Sequence, residues 1–292
     1  VAVLGTAFGK DLAAAVVPAA SGSGVWQRLA AFIEPVGRDA LRFRNTLVRD
    51  AAYEGLPYRT RTQLHGFVAQ RIESQSPDPS EHAGILSLHY AEARMDEKAF
   101  TYAIRAAERA AAIYANAEAA SFFERALTVA RRAGRGVAGD LASVWESLGD
   151  VRERMGDFDR AHAAFRSARR LQPADAVAGA RLSMKHALIA RRAGRYAAAI
   201  RWLGRGRSLL TDDDAESTML RARLSSWTAS IRQEQGRSDD AIVWCFRAID
   251  EANASGADAA LAHAWYVLDW AYMETGRTEL ATNSLQALAL YE

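Results

Sequence analysis

Residues 145–173 read WESLGDVRERMGDFDRAHAAFRSARRLQP, which describes two antiparallel helices joined at a glycine. Each residue type has a mechanical reason for its place. Gly149 and Ala161 are small enough to let the two helices approach closely, and Gly156 ends the first helix. Phe165 fills the gap between this hairpin and the next, and Pro173 closes the second helix.

Weaker copies follow. Gly156, Gly194, Gly236 and Gly276 lie 38, 42 and 40 residues apart, and each is followed five residues later by an alanine: Ala161, Ala199, Ala241 or Ala281. The next position of the pattern holds Phe165, Leu203, Cys245 or Leu285. Upstream, Tyr90, Ala99, Ala103 and Ala106, then Ala119, Phe123 and Ala126, read as two degenerate units sharing a long helix. The pattern of Trp145, Leu148, Gly149, Gly156, Phe158, Ala161, Phe165, Ala168 and Pro173 resembles the tetratricopeptide repeat. That repeat is about 34 residues long, so the wider spacing here implies an extra helical turn or a longer loop. Arg152 departs from it, standing where the repeat usually has an aromatic residue. The resemblance implies a mainly α fold over residues 80–292, a tetratricopeptide-like α-superhelix of about six α–α hairpins.

Composition agrees with helix almost throughout. Of 292 residues half are hydrophobic and only six are proline, the worst helix former. Thirty-seven basic and 35 acidic residues leave a net charge of +2, which marks no committed nucleic-acid surface. The single cysteine, Cys245, excludes an internal disulfide framework and suits a reducing cytoplasm. No apolar run approaches the roughly 20 residues of a membrane span. Val1 to Gly9 shows no basic leader and no initiating Met, and the chain reads as a piece of a longer protein.

The polar, proline-bearing segment Ser74–Ser80 marks a boundary. Before it, Leu12 to Val17 reads as a short helix, Ser21 to Gly24 as a loop and Val25 to Phe32 as a second helix. Phe32 to Val36 and Ala40 to Phe43 are extended candidates around a turn at Gly37, Arg38 and Asp39. Two amphipathic helices follow, about 46–55 and 58–73. This order predicts a small winged-helix-like module over residues 1–75. A DNA-reading helix needs several basic or amide side chains. Val25 to Phe32 offers only Gln27 and Arg28, and the hairpin adds a modest patch of Arg38, Arg42 and Arg44. Packing against a neighbouring domain is the better account of this module.

The segment LRFRNTLVRDAAYEGL at residues 41–56, followed by RTQLH at 61–65, is similar to a block that closes the ATPase module of large bacterial signalling proteins. Those proteins resemble MalT-like signal-transduction ATPases. Many actinobacterial members carry a class III adenylyl or guanylyl cyclase domain, and others end in a LuxR-type DNA-binding domain. In both, the block closes a winged-helix subdomain and a tetratricopeptide array follows. The resemblance implies a cytoplasmic, non-catalytic regulatory region of such an ATPase, either cyclase-linked or part of a transcriptional regulator. Asn45 stands where the block usually has a histidine that contacts nucleotide phosphate in related ATPases. The run Gly5-x3-Gly9-Lys10 is one residue short of a phosphate loop and is followed by Asp11 rather than Ser or Thr.

No residue pattern points to catalysis, a cofactor or a metal. His65, His82, His89, His162, His186 and His263 include no pair at i and i+4. His186 falls where the best repeat has Leu148, a core position. Asp212, Asp213 and Asp214 lie between helices and suit an N-cap. Cys245 takes a core position of the repeat and reads as an inert thiol.

The repeat's groove-facing positions are the remaining candidates. They map to Ser143, Glu146, Asp150, Glu153 and Arg154, then to Arg181, Met184, Leu188, Arg191 and Arg192. In the third hairpin they are Arg223, Ser226, Ser230, Gln233 and Glu234, and in the last His263, Tyr266, Trp270, Met273 and Glu274. Glu146 and Asp150 would repel the carboxylate that chaperone-adaptor repeats clamp with Lys and Asn. The groove runs from acidic to basic to aromatic. Arg and aromatic residues are the usual interface anchors, so Arg191, Arg192, Arg223, Tyr266 and Trp270 are expected to hold a protein partner or another domain of the parent chain. Leu285, Leu288 and Tyr291 on the last hairpin offer a second possibility, a homo-oligomer contact.

Overall fold

The computed structural model describes residues 1–16, 23–136, 139–283 and 287–288. The chain divides into two compact units, Val1–Asp140 and Leu141–Glu292.

The first unit opens with a three-stranded antiparallel sheet, β1 (Ala7–Gly9), β2 (Ile33–Val36) and β3 (Ala40–Phe43), in the order β1-β3-β2. β2 and β3 form the expected hairpin, in register from Ile33 opposite Phe43 to Val36 opposite Ala40. Gly37 takes φ 66° in its turn, a conformation glycine adopts without Cβ strain. Pro35 sits on the edge strand β2, where its missing N–H costs no ladder bond. The strand β1 was not expected; it pairs with the other edge of β3, from Ala7 opposite Arg42 to Gly9 opposite Ala40. Lys10 then opens α1 (Lys10–Val16) and its Nζ donates to the Arg38 carbonyl at 2.5 Å. The Gly5–Lys10 run is therefore a strand entering a helix, with its lysine committed to the hairpin turn.

Helix α2 (Ser23–Arg28) is four residues shorter than expected at its end, because Phe32 and Ile33 N–H groups both donate to the Leu29 carbonyl and turn the chain into β2. Val17, Ser21 and Gly22 of the expected helix and loop lie outside the described residues. α3 (Thr46–Glu54) and α4 (Tyr58–Gln75) match the expected pair closely. The core gathers Phe8, Ile33, Leu41 and Phe43 from the sheet with Ala13, Val16 and Val68 from α1 and α4. After α4 a 3₁₀ turn at Pro79–His82, capped by Asp78, leads into α5 (Ala83–Glu92), α6 (Asp96–Ala112) and α7 (Asn116–Ala133). α6 packs against both neighbours, as the shared helix of the two degenerate units should. Glu73 of α4 accepts hydrogen bonds from Tyr90 of α5, and from Lys98 at 2.6 Å and Tyr102 at 2.7 Å on α6.

The second unit is helical hairpins: α8 (Leu141–Arg154) with α9 (Phe158–Leu171), α10 (Ala176–Arg192) with α11 (Tyr196–Leu209), α12 (Ala215–Glu234) with α13 (Ser238–Ser255), then α14 (Asp258–Glu274). The turns after α8, α10, α12, α13 and α14 repeat one bond. The N–H directly after the turn glycine reaches back five residues: Asp157 to the Arg152 carbonyl, Arg195 to Ala190, Arg237 to Arg232, Ala257 to Ala252 and Arg277 to Tyr272. This is the Schellman closure, and it needs a left-handed residue, supplied by Gly156, Gly194, Gly236, Gly256 and Gly276. The first unit makes the same bonds from Met95 to Tyr90 and from Ala115 to Ala110, with Arg94 (φ 60°) and Tyr114 (φ 59°) in the glycine position.

The repeat positions fill one core after another. Phe165 packs with Ala161, Leu182 and Ile189, Leu203 with Ala199 and Leu224, and Cys245 with Ala241 and Leu268. Leu285, the corresponding position of the last unit, lies outside the described residues.

Candidate functional site

The first helices of the hairpins in the second unit, α8, α10, α12 and α14, stand side by side and are cross-linked by their polar residues. Glu146 on α8 receives a two-pronged contact from Arg181 on α10, both distances 3.0 Å. Lys185, one turn on, reaches Glu146 at 2.9 Å and Asp150 at 2.6 Å. Arg192 pairs with Glu153 at 2.9 Å. On its other side α10 sends Arg191 to Glu234 of α12 at 2.7 Å, with the guanidinium 5.3 Å above the Trp227 ring. Gln233 of α12 donates to Glu274 of α14 at 2.7 Å, and Ser226 meets His263 at 3.2 Å.

The acidic-to-basic gradient expected along the row is therefore largely cancelled across helix boundaries. Glu146 and Asp150 share the Lys185 ammonium, and their carboxyls respond oppositely. Burial works to raise Glu146, but Lys185 and Arg181 together outweigh it and hold the group below its ordinary value. Burial dominates at Asp150 and pushes it up, with the Glu146 charge adding to the effect.

Four of the expected groove positions are not surface at all: Met184, Ser226, Ser230 and Gln233 are buried. Met184 packs in the core with Leu203, Leu220 and Leu224, while Ser226 and Gln233 bond His263 and Glu274 of α14. Of the five anchor candidates, Arg191 and Arg192 are ion-paired within the row. Arg223 is exposed on α12 and makes no ion pair among the described residues. Tyr266 is 58% exposed on α14, Met273 is 55% exposed, and Trp270 donates its Nε1–H to Glu274 at 2.9 Å. Tyr266, Trp270 and Met273 recur at helical spacing along one side of α14.

Other candidates resolve locally. Asp214 caps α12 by accepting from the Ser217 N–H at 2.9 Å. Cys245 is fully buried and burial pushes its thiol up to about 12, far from the reactive range. Asn45 caps α3, its Oδ1 accepting from Leu47 N–H at 2.8 Å. Arg42 and Arg44 both bind Glu34, at 2.7 and 2.9 Å, which offsets one of the three charges of the hairpin patch.

Sequence spacing missed two histidine pairs. His65 and His89 meet Nδ1 to Nδ1 at 2.8 Å, and Tyr53 closes on His65 Nε2 at 3.0 Å. His162 and His186 meet in the same way at 2.5 Å, with His186 stacked on Trp202 at 4.5 Å between ring centroids. Each pair spans 24 residues, from one α-helix to the next, so no i to i+4 search finds it. Burial lowers His89 to about 4 and His186 to about 3, the partner imidazole adding to the effect. Among the described residues no group of three or more His, Cys, Asp or Glu is placed to hold a metal ion. Among them, too, no helix is long and apolar enough to cross a membrane.

Solved structures show what this architecture resembles. BtubC from P. vanneervenii is 16% identical and aligns over 76% of this chain and 91% of its own, with a TM-score of 0.56. MamA protein is 15% identical over 65% of this chain and 91% of its own, TM-score 0.45. YrrB, described as a TPR protein with an unusual peptide-binding site, is 18% identical over 65% of this chain and 84% of its own, TM-score 0.39. No family model matches the chain, and no curated protein matches its sequence. The helical hairpins with their repeated glycine turns are tetratricopeptide-like, and the likeness to BtubC agrees with a mainly helical fold.

Proposed function

We propose that the chain is a non-catalytic interaction region that holds a protein segment on the α14 end of its helix row. The observation that carries this reading is the exposed side of α14, where Tyr266 and Met273 stand more than half exposed beside Trp270. Large apolar and aromatic groups left in water at one place mark contact surfaces. Arg223 on the adjacent α12 supplies an uncommitted cation, while Arg191 and Arg192 act chiefly by holding the row together and set its orientation. The occupant is a protein partner or another domain of the same polypeptide.

The wider setting rests on the similarity of residues 41–65 to the closing block of MalT-like signal-transduction ATPases. On this reading residues 1–75 are a winged-helix-like module, supported by the three-stranded sheet backed by α1 and α4. Residues 80–292 are the sensor arm, working in the cytoplasm and passing partner occupancy to an ATPase or nucleotidyl cyclase. Arg42 and Arg44 are engaged by Glu34, which disfavours a DNA-reading role for the module. A homo-oligomer contact through the last hairpin would use Leu288, which is exposed; Leu285 and Tyr291 lie outside the described residues.

The test is a phage-displayed peptide selection on the folded chain, followed by calorimetry of a selected peptide on Tyr266→Ala and Trp270→Ala. Each variant should weaken the peptide about tenfold or more. Failure to select any peptide, or unchanged affinity in both variants, rejects the α14 site.

A further inference from the structure

Between residues 160 and 211 the chain holds twelve Arg and Lys but a single carboxylate, Asp175, although the whole chain balances to +2. Six of these cations are neutralised inside the protein. Arg181, Lys185, Arg191 and Arg192 pair within the helix row, Arg207 with Glu251, and Arg160 with Asp157 at 3.5 Å. Four of the other six, Arg166, Arg169, Arg170 and Arg205, surround one cavity of about 450 Å³ between α9, α10 and α11.

The cavity is shaped by its residue types. Arg166, Arg169 and Arg170 share one face of α9 because they lie three and four residues apart. Arg169 is fixed from behind, donating to the backbone carbonyls of Gln172 at 2.5 Å and Asp175 at 2.8 Å. Gly179 on α10 makes room for it: a Cβ there would lie 2.8 Å from Arg169 Cζ and 2.9 Å from Leu209 Cδ1. Arg205 rests over the Trp202 ring at 5.6 Å, and Arg170 donates to Ser167 Oγ at 3.0 Å. Among the described residues none of the four guanidinium groups has a carboxylate partner. The floor is apolar, formed by Leu182, Leu209 and Trp202. His186 joins the wall with its Nδ1 already taken by His162.

We infer that this cavity binds a small organic anion, one phosphate or carboxylate group carried on an apolar or aromatic body. Four cations at one mouth repel each other, and an anion relieves that repulsion while accepting from the planar forks of arginine. The apolar floor gains from a hydrophobic body that a bare hydrated ion lacks. The volume falls in the range of small-molecule pockets. A half-open pocket confined to three helices, rather than a long basic stripe, favours a small ligand over nucleic acid. The inference is independent of the α14 reading, which uses other helices.

Calorimetry on the folded chain with phenyl phosphate, inorganic phosphate and phenol tests it. Phenyl phosphate should saturate a single site about tenfold or more tighter than inorganic phosphate, and phenol should give no saturable heat. Arg166→Glu and Arg170→Glu, both on exposed positions of α9, should each weaken phenyl phosphate about tenfold or more, with Arg166→Gln and Arg170→Gln intermediate. Arg131→Glu, the same charge change on α7, should leave binding unaltered, and circular dichroism checks that each variant is folded. The inference falls if phenyl phosphate does not saturate, if inorganic phosphate binds equally well, or if Arg131→Glu weakens binding as much. It falls equally if a duplex oligonucleotide binds through Arg166 and Arg170 while phenyl phosphate does not.

Discussion

The Phe165 ring occupies the space that a side chain on Gly149 would need: a Cβ built there lies 2.2 Å from Phe165 Cε1 and 2.5 Å from Cδ1. The ring cannot swing aside, because it is fully buried among Ala161, Ala168, Leu182 and Ile189 and meets His186 edge-on. Gly149→Ala should therefore destabilise the second unit by about 1–3 kcal/mol through overpacking, despite the gain of about 1 kcal/mol in helix propensity. Urea midpoints measure the balance. Pairing the change with Phe165→Leu should recover part of the loss, and a stabilised Gly149→Ala would show that the ring has somewhere to go.

Hairpin turns give a prediction of the opposite sign. Tyr114 holds φ 59° yet is 77% exposed, so it carries left-handed strain with little packing in return. Tyr114→Gly should raise stability by about 0.5–1 kcal/mol. Gly194→Ala, at the equivalent turn with φ 69°, should lower it by a similar amount. A thermal melt of each variant reads both.

Buried histidines should make the protein acid-labile. His89, His186 and His263 are lowered to about 4, 3 and 4, burial being the main cause, against an ordinary value near 6.5. Folded imidazoles stay neutral while unfolded ones take up protons, so stability is full above about pH 6.5 and falls as the pH drops toward the folded values. The slope is at most about 1.4 kcal/mol per pH unit for each histidine. Urea titrations at pH 7.5 and 5.0 should show the loss, and His186→Gln should reduce it.

Glu73 ties three helices of the first unit. Burial opposes its charge, but hydrogen bonds from Lys98, Tyr90 and Tyr102 win and hold its carboxyl at about 2. Burial, then the Glu73 hydrogen bond and charge, push Tyr102 up to about 12. Glu73→Gln should bring the Tyr102 ionisation part of the way back toward 10, read by ultraviolet absorbance against pH. An unmoved titration would mean that burial alone sets it.

Much of the fold was legible because its punctuation is chemical. Gly156, Gly194, Gly236 and Gly276 mark turns that demand a left-handed residue, and alanines at fixed distance mark close helix contact. The turns at Arg94 and Tyr114 were invisible to that reasoning, since ordinary residues there accept the strain. β1 is three residues long, too short to show an alternating pattern. At the site, residue types on α14 were readable, but partnership was not: Arg191 and Arg192 look free in sequence because Glu234 and Glu153 lie about 40 residues away. The arginine cavity escaped for a related reason, since its charge excess is masked by balance over the whole chain.

The Schellman closures have a consequence for how such a protein can vary. The α8–α9 and α10–α11 hairpins are each pinned at one end to the same turn geometry, so differences in length between them must collect at the opposite end. In the first two hairpins of the second unit they do: α8 and α10 run 14 and 17 residues while α9 and α11 both keep 14. The stretches around 172–175 and 210–214 are thus natural places to splice in a tag or reporter. Whole hairpins cut there could be exchanged between chains like interchangeable cassettes, leaving every pinned turn intact.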